Sequence, residues 1–534
     1  MTKPTAAHTR RARSETLRQA LARPGTYSHR PASVEVRETH ISWVFLAGEL
    51  AYKLKKPVVL DFLDYGTPAR RRELCAAEVR LNRRLAPDLY LGVRGVARTR
   101  DGVELTDEDD PRAIDFVVEM RRYDEAQTLA ARLERGELQR SDVVELGRRL
   151  ARFHEDAPRV TPDRAPVLAA ERRFERNLQE LLGDVEQRGE IERVLGLERF
   201  AHAFVTAHAQ TFWTRANRGQ VREGHGDLRA EHVLLDDRVR IVDCVEFDPG
   251  LRELDVADDL AFLVFDLAAL GGERLGEVLV DAYRDAGGDP GSDALIAFYA
   301  AYRALVRAKI ALVRGAQLPG TSAEHGQQSA HARDLISLAE RFAWRARRPL
   351  IIVVCGVPAS GKSHLAHALA ERSGLPHLSS DVIRKRLAGL RPTQRAPGDT
   401  YSADWNARTH AELGNRAFDA LAGNGGVIVD ATFRHRDDRR VFTAALGAAR
   451  QVVFIECQAP GPVLAQRAAH REHDRDRVSD AGLAVVLREQ SRWEPLDEVP
   501  ASAHLTVRTD RPVEQITADV LALLDRRLAE LALG

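Results

Sequence analysis

The segment Gly356-Val-Pro-Ala-Ser-Gly-Lys-Ser363 constrains the fold of this chain more than any other feature. It follows an apolar run at 350–355 and precedes a helical pattern at 363–370, so the order is strand, glycine-rich loop, helix. It fits G-x-x-x-x-G-K-[ST], in which backbone N–H groups turn onto a phosphate chain at the positive end of a helix. Lys362 would reach the β- and γ-phosphates of ATP, and Ser363 would ligate Mg²⁺. The predicted phosphate-binding residues are Gly356, Val357, Pro358, Ala359, Ser360, Gly361, Lys362, Ser363 and His364.

Composition excludes several other classes of protein. With 534 residues, 44% hydrophobic and 30% charged, the chain is globular and long enough for about two to four domains. Its formal net charge of zero argues against a general nucleic-acid or membrane-surface role. The four cysteines show no C-x-x-C spacing, so neither a zinc site nor a disulfide framework is indicated. We expect a cytoplasmic protein without a transmembrane or signal segment.

Hydrophobic periodicity divides the chain into three regions. Alternating runs predict paired strands within 33–60, at 90–97 and at 113–121, where the side chains of a strand alternate between two faces. Helical periods dominate 141–157, 168–186, 192–216 and 255–343. In 350–457 strands alternate with helices, which predicts a parallel sheet. The predicted domains are an N-terminal arm or helix at 1–32, a first domain at 33–343, a linker at 344–349 and a P-loop domain at 350–534.

A second pattern of carboxylates points to the same chemistry. His225-Gly-Asp-Leu-Arg-Ala-Glu-His232 is followed by an apolar hairpin and then by Asp243 at the end of a strand. The first carboxylate, Asp227, could orient a hydroxyl group and accept its proton, and Asp243 could hold Mg²⁺ against phosphates.

These residues resemble the Brenner-type motif of the aminoglycoside phosphotransferase family, whose fold is similar to that of protein kinases. The resemblance covers roughly 33–320 and implies that Asp227 is the catalytic base and Asp243 a metal ligand. It also implies that Lys53 contacts the α- and β-phosphates. Lys55 is the rival for that role, since it lies on the same face of the strand.

The resemblance assigns further residues around the nucleotide. Glu78 would be the helical partner of the strand lysine, and the segment with Glu119 and Met120 would hold adenine through its backbone. One position departs from the family pattern: His232 stands where the family usually has an asparagine that ligates the second metal. The open interpretations are an altered metal site or a degenerate, weakly active one.

An acidic cluster follows Asp243. Its carboxylates are interpreted as helix caps and first-turn residues, or as groups that attract a cationic substrate. The cluster comprises Glu246, Asp248, Glu253, Asp255, Asp258 and Asp259.

In the P-loop domain, Asp381-Val-Ile-Arg384 resembles the acceptor-activating pair of polynucleotide-kinase-like and zeta-toxin-like kinases, an AAA-33-type family. The resemblance implies that Asp381 accepts the acceptor proton and Arg384 neutralises charge; alternatively, Asp381 only caps the next helix. Asp430, at the end of an apolar strand, takes the position that binds Mg²⁺ through water. Arg467 and Arg471 resemble lid arginines that clamp the transferring phosphoryl group, and Arg477 is a further candidate; the alternative is an exposed arginine-rich helix.

The order of domains resembles that of proteins described as bifunctional aminoglycoside phosphotransferase/ATP-binding proteins. The predicted fold is therefore α+β and bilobal in the N-terminal domain, and an α/β sandwich with a parallel sheet in the C-terminal domain. The predicted function is ATP- and Mg²⁺-dependent transfer of phosphate to a small-molecule hydroxyl acceptor, such as a sugar or an aminoglycoside. Two alternatives stay open: a P-loop kinase regulated by an N-terminal pseudokinase, and a polynucleotide 5′-hydroxyl kinase.

Overall fold

The computed structural model of this chain describes residues 6–60, 63–100, 102–161, 166–185, 188–391, 393–394, 396–447, 452–472 and 491–530. The chain divides into two compact units. Unit 1 is Met1–Asp163 with Thr214–Gly291, and unit 2 is Arg164–Trp213 with Ser292–Gly534. Among the helices in these ranges, none has the length and apolar character that crossing a membrane requires.

The elements are numbered in chain order. The strands are β1 Val34–Glu38, β2 Ser42–Ala47, β3 Leu50–Lys55, β4 Val59–Leu60, β5 Leu63–Asp64, β6 Tyr90–Arg98, β7 Val103–Asp107, β8 Ala113–Arg121, β9 Val221–Glu223, β10 Val233–Leu235, β11 Val239–Ile241, β12 Glu253–Asp255, β13 Leu350–Cys355, β14 His377–Ser379, β15 Gly426–Asp430, β16 Val452–Gln458 and β17 His504–Arg508. The helices are α1 Ala6–Leu21, α2 Pro68–Asn82, α3 Leu129–Glu134, α4 Arg140–Asp156, α5 Pro166–Asp184, α6 Arg188–Ala207, α7 Ala209–Asn217, α8 Pro249–Arg252, α9 Val256–Ala269, α10 Glu273–Asp285, α11 Asp293–Ala316, α12 Ala323–Ala346, α13 Lys362–Ser373, α14 Ser380–Leu387, α15 Ala403–Asn424, α16 Arg436–Ala445, α17 Gly461–Glu472 and α18 Val513–Glu530.

Unit 1 is organised around an antiparallel sheet with the order β1-β2-β3-β8-β6-β7. Side chains of β8 alternate, so that Phe116, Val118 and Met120 pack with the α2 side, whereas Val117 packs on the opposite face. That opposite face is covered by the N-terminal segment, whose Leu17 and other apolar side chains are buried against it. The sheet therefore has apolar cover on both faces.

The rest of unit 1 carries the motif residues on short elements. Strands β9 and β12 pair with each other and flank the segment 224–252, whereas β10 and β11 form a hairpin within it. Helices α4, α9 and α10 pack together around it. These elements set the positions of the loop at 225–232 and of the loop that begins at Asp243.

Unit 2 contains a parallel sheet with the order β14-β15-β13-β16-β17. Every residue of β13 is buried, because helices cover both faces of the sheet. Ile352 and Val354 pack towards α13 and α18, whereas Ile351 and Val353 pack towards α15 and α16. The predicted α/β sandwich and the predicted mixed fold of the N-terminal part are both confirmed.

Unit 2 also includes helices that precede the predicted P-loop domain. In their core, the rings of Phe204 and Phe298 stack with centroids 4.5 Å apart. Arg347 joins this part to the sheet, since its Nε atom donates to Asp525 of α18 at 2.7 Å and its guanidinium lies 4.4 Å from the Phe200 ring. Trp344 is buried in the same core as β13. Residues 344–349, which were predicted to be a linker, thus lie inside a packed unit.

Two elements differ from the sequence-based prediction. The helical period at 192–216 forms two helices, α6 and α7, rather than one. The strand β7 was missed between the predicted strands β6 and β8, because its exposed edge position leaves its side chains only partly buried.

Candidate active sites in the two units

Two lysines of β3 share one carboxylate in unit 1. Lys53 Nζ lies 2.9 Å from Glu78 Oε1, and Lys55 Nζ lies 2.5 Å from Glu78 Oε2. Glu78 itself is fully buried on α2. Burial alone would raise the pKa of the Glu78 carboxyl, but the two ammonium groups outweigh it and the pKa is lowered. Both lysines are therefore positioned by the same helix.

Exposure separates the roles of the two lysines. Lys53 retains 16% side-chain exposure and lines the cleft, where its Nζ atom also lies 2.7 Å from Asp243 Oδ1. Lys55 is fully buried and contacts Glu246 and the hydroxyl of Tyr65. The geometry therefore makes Lys53 the candidate for phosphate binding, and it gives Lys55 a structural role.

Asp243 lies at a bend of the chain. Its φ angle is 64°, in the left-handed region that aspartate tolerates better than most residues. Burial would raise the pKa of its carboxyl, but Lys53 lowers it well below the usual range. The side chain keeps 47% exposure towards the cleft. A permanently ionised carboxylate that faces open space suits a metal ligand.

The loop at 225–232 brings Asp227 and His232 to the same place. His232 Nδ1 lies 2.9 Å from the backbone oxygen of Asp227 and 3.7 Å from its Oδ2 atom. His232 Nε2 lies 3.8 Å from Asp243 Oδ2. The predicted base and metal residues of unit 1 are thus adjacent, and the imidazole lies between the two carboxylates.

Asp259 of α9 anchors this loop through hydrogen bonds to its backbone, a role that was not predicted from the sequence. Its Oδ2 atom accepts from the backbone N–H of His225 at 2.7 Å, and its Oδ1 atom accepts from that of Gly226 at 3.0 Å. His154 Nε2 lies 3.2 Å from the same carboxylate. Burial would raise the pKa of Asp259, but these contacts lower it well below its ordinary value. Asp259 is therefore a positioning residue for Asp227.

The remaining acidic cluster divides between capping and ion pairing. Asp248 caps α8, and Asp255 caps α9 while it also binds Arg215 through two contacts of 2.8 Å. Glu246 is instead buried against Lys55. Helix capping, the simpler of the two sequence-based interpretations, thus describes Asp248 and Asp255.

A cleft of about 1340 Å³ opens beside these residues. It is lined by Lys53, Met120, His232 and Asp243, which were predicted as site residues. Glu119 was also predicted, but its backbone lies in the ladder between β3 and β6, and its carboxylate accepts from Tyr52 at 3.0 Å. The segment that lines the cleft after β8 is 122–126, which sequence reasoning missed.

The P-loop of unit 2 has the backbone that its glycines permit. Gly356 and Gly361 have φ angles of 140° and 94°, and a Cβ atom on Gly356 would lie 2.5 Å from the oxygen of Cys457. Ala359 also has a positive φ angle, of 67°. The loop ends at Lys362, the first residue of α13, which is 7% exposed. Ser363 follows in the first turn of this helix, and His364 is exposed.

Acidic side chains meet this loop at the carboxyl edge of the sheet. Asp430 ends β15, which pairs with β13, and its Oδ1 atom is buried without a hydrogen-bond partner among the described residues. Asp381 lies in the first turn of α14, after Ser379, which occupies the N-cap position. Burial raises the pKa of Asp381, as does Asp430, while Lys362 lowers it. These interactions bring Asp381, Asp430 and Lys362 into one electrostatic site.

The predicted arginines of unit 2 are engaged with the protein. Arg384 is 6% exposed and donates from Nη1 to the backbone oxygen of Thr400 at 2.7 Å and to Asn406 Oδ1 at 2.8 Å. Arg467 donates to the backbone oxygen of Thr509 at 2.6 Å, and Thr509 in turn donates to the backbone oxygen of Ser360 in the P-loop. The side chain of Arg471 and the whole of Arg477 lie outside the described residues.

The donors of both units suit a divalent cation carried by a nucleotide. In unit 2 the unpartnered Asp430 oxygen lies at the sheet edge where the P-loop begins, and Ser363 supplies a hydroxyl group. In unit 1 the ionised Asp243 carboxylate faces the cleft. Oxygen donors of these kinds are the ligands that Mg²⁺ prefers.

Comparison with known families agrees with the P-loop assignment. The AAA_33 family, described as an AAA domain, matches residues 351–496. This match confirms the AAA-33-type P-loop domain predicted from the sequence, and with the fold of unit 1 it confirms the fused two-domain architecture.

Similar proteins include one that matches most of the chain. The uncharacterized protein Rv2004c of Mycobacterium tuberculosis (strain ATCC 25618 / H37Rv) is 33% identical over 473 residues, which cover 86% of this chain and 91% of the relative. Solved structures include a choline/ethanolamine kinase family protein from Mesorhizobium loti (16% identity, 61% of this chain and 99% of that chain, TM-score 0.37). They also include a gluconokinase from Sinorhizobium meliloti 1021 (26% identity, 34% of this chain and 95% of that chain, TM-score 0.26).

Proposed function

This chain belongs to the family of the Mycobacterium tuberculosis protein Rv2004c, and from that premise we propose that it is an ATP- and Mg²⁺-dependent phosphotransferase with one nucleotide site in each unit. The observation that carries the proposal is the chain of contacts Glu78–Lys53–Asp243 at the cleft of unit 1. An ammonium group held between a buried carboxylate and a carboxylate suited to metal binding is the arrangement that kinase-like phosphotransferases use. The P-loop supplies the second site.

In unit 1, the residues divide the work of the reaction. Lys53 binds phosphate oxygens, and Asp227 accepts the proton of the acceptor hydroxyl as its oxygen attacks the γ-phosphorus. The new O–P bond forms as the bond to the β-phosphate oxygen breaks, and ADP leaves. Mg²⁺, held by Asp243, would neutralise the charge on the phosphates.

In unit 2, the same roles fall to different residues. The N–H groups of the P-loop and Lys362 hold the phosphates, while Ser363 and Asp430 would hold Mg²⁺. Asp381, whose pKa is raised, accepts the acceptor proton. For Arg384 and Arg467 we propose that they keep the acceptor and nucleotide loops in place through their contacts with Thr400 and Thr509.

The proposed acceptor is the hydroxyl group of a small molecule, of the sugar or aminoglycoside type. The neutral net charge of the chain gives a polynucleotide no general electrostatic attraction. Residues 122–126 place Asp124 and Glu125 at the edge of the cleft in unit 1. Asp124 accepts from the backbone N–H of Ala126 and Glu125 pairs with Arg37, and the second oxygen of each carboxylate can accept a hydrogen bond from a polyhydroxylated acceptor.

The test uses two substitutions in the full chain. Wild type, Asp227→Asn and Lys362→Ala are incubated with [γ-³²P]ATP and a library of sugars, amino sugars and oligonucleotides, and labelled products are identified by mass spectrometry. We expect each substitution to remove a different product by about 10³-fold or more. The controls are Asp281→Asn, an exposed residue of α10, and Lys309→Ala, a surface lysine of unit 2.

Calorimetry gives an independent outcome. Wild type should bind two molecules of a non-hydrolysable ATP analogue per chain, and Lys362→Ala should bind one. A stoichiometry of one for wild type would contradict the proposal of two nucleotide sites.

A further inference from the structure

We infer that the metal position of unit 1 is built for a divalent first-row transition ion such as Mn²⁺, bound through His232 Nε2 and the Asp243 carboxylate. The inference rests on the proposed function, because the ion would arrive with a nucleotide. It concerns which ion the site selects, and it follows from the orientation and surroundings of one imidazole ring.

The hydrogen bond of His232 fixes the tautomer of its ring. Nδ1 lies 2.9 Å from the backbone oxygen of Asp227, and a carbonyl oxygen can only accept. The proton of a neutral ring must therefore be on Nδ1, which leaves the lone pair on Nε2. A histidine that donates one N–H to a carbonyl and presents its other nitrogen is the usual arrangement of a metal-binding imidazole.

The lone pair of Nε2 has no close partner among the described residues. Its nearest charged neighbours are Glu231 Oε1 at 3.6 Å and Asp243 Oδ2 at 3.8 Å, and both distances are longer than a hydrogen bond. The ring is only 12% exposed, so its position is set by packing. The nitrogen therefore faces Asp243 with an unused donor orbital.

The separation of the two donors fits a shared ion. Metal–nitrogen and metal–oxygen bonds of about 2.1 Å each allow two donors of one ion to lie up to about 4 Å apart. His232 Nε2 and Asp243 Oδ2 lie 3.8 Å apart, within this limit, and a small side-chain rotation brings them to the roughly 3 Å that neighbouring positions of an octahedral ion require. Because Lys53 occupies the other oxygen of Asp243, Oδ2 is the oxygen left for the ion.

The donor set also indicates the class of ion. Imidazole suits first-row transition ions better than it suits Mg²⁺, and among these ions Mn²⁺ shares with Mg²⁺ the octahedral geometry and the preference for oxygen donors that phosphate binding requires. Among the residues that the structure describes, no group of three or more His, Cys, Asp or Glu side chains could hold an ion. Two protein donors leave the remaining positions to phosphate oxygens and water.

The test is electron paramagnetic resonance of Mn²⁺ bound to the full chain with a non-hydrolysable ATP analogue. Lys362→Ala is used as the background, so that the P-loop site does not contribute. We expect a ¹⁴N coupling typical of a directly bound imidazole, which should be lost in His232→Asn. The dissociation constant for Mg²⁺ divided by that for Mn²⁺ measures the preference of the site for Mn²⁺, and this ratio should fall by about ten-fold in His232→Asn.

Two controls keep the result interpretable. His202→Asn changes an exposed histidine of α6 and should retain the ¹⁴N coupling. Incorporation of ¹⁵N-histidine into the unsubstituted His232 protein should convert the ¹⁴N coupling to a ¹⁵N coupling, which requires no change of fold. If Mn²⁺ and nucleotide bind to unit 1 without any histidine coupling, the inference is overturned and the proposed function stands. If the Lys362→Ala chain binds no nucleotide, both are overturned.

Discussion

At the scale of single residues, the two lysines of β3 show that side-chain burial can distinguish two residues whose sequence spacing places them on the same face of a strand. Lys53 and Lys55 lie on the same face of one strand, so a period of two cannot separate them. They differ in what surrounds them: Lys55 is enclosed by Glu78, Glu246 and Tyr65, whereas Lys53 reaches the cleft. This enclosure involves residues up to 191 positions apart in the chain, which local pattern does not encode.

The first prediction follows from that difference. Lys55→Met should lower the free energy of unfolding by about 3–5 kcal/mol, because it removes the cation that pairs with the buried Glu246 and one of the two cations that pair with Glu78. Lys53→Met should instead weaken nucleotide binding more than it lowers stability. Urea denaturation and analogue titration of both variants measure the two effects, with Lys56→Met, whose partner Glu38 is exposed, as the control. Equal losses of stability in the two variants would refute the division of roles.

The second prediction concerns the pH dependence of stability. The pKa of Asp259 is lowered in the folded state, so protons bind to the unfolded chain first as the pH falls. Its contribution should be complete above about pH 4 and should be lost as the pH falls towards its folded pKa, with a slope of up to about 1.4 kcal/mol per pH unit. Asp259→Asn should therefore flatten the stability curve between about pH 4 and pH 3. Denaturation at a series of pH values checks this, and an unchanged slope would show that Asp259 is not the titrating group.

At the scale of elements, the sequence predicted where strands and loops lie along the chain better than it predicted which other elements they contact. The P-loop, the strand before it and Asp430 were predicted because the motif and the apolar runs are local. The anchoring of the loop at 225–232 by α9 was not predicted, since Asp259 reads locally as a first-turn carboxylate of its own helix. The segment 122–126 was missed for a related reason: nothing in its composition shows that it borders a cleft.

The third prediction tests the contact between two helices that support this loop. A Cβ atom on Gly147 of α4 would lie 2.8 Å from Ala282 Cβ and 2.9 Å from the oxygen of Leu279, both on α10. Gly147→Ala should therefore destabilise the protein by about 1–3 kcal/mol despite the better helix propensity of alanine. Gly183→Ala, in α5, meets no atom within 4 Å and is the matched control. Thermal unfolding compares the two, and a stabilised Gly147→Ala would disprove the close packing.

At the scale of the whole molecule, the units do not follow the domain order read from the sequence. Unit 2 combines 164–213 with everything after 292, so it takes helices that the resemblance placed in the first domain. Motifs marked the two chemical centres, yet they carry no information on which helices pack together. The basic residues at 344–349 suggested a linker, although the structure buries Arg347 with Asp525 at 5% and 6% side-chain exposure.

The fourth prediction follows from that buried pair. Arg347→Met and Asp525→Leu should each lower the stability of unit 2 by about 3–5 kcal/mol, and the double variant should cost less than the sum. A nucleotide bound to the P-loop should raise the unfolding temperature of unit 2 and so identify its transition in calorimetry. Each single variant should lower the temperature of that same transition. Strict additivity would mean that the two side chains do not interact.

The discontinuity of unit 2 has a consequence for the growing chain on the ribosome. Helix α6 packs against α18, which is synthesised some three hundred residues later. Unit 1 can close once residue 291 has emerged, whereas the part of α6 that α18 covers stays exposed until α18 has been synthesised. During that interval, this surface of the nascent polypeptide is accessible to a chaperone.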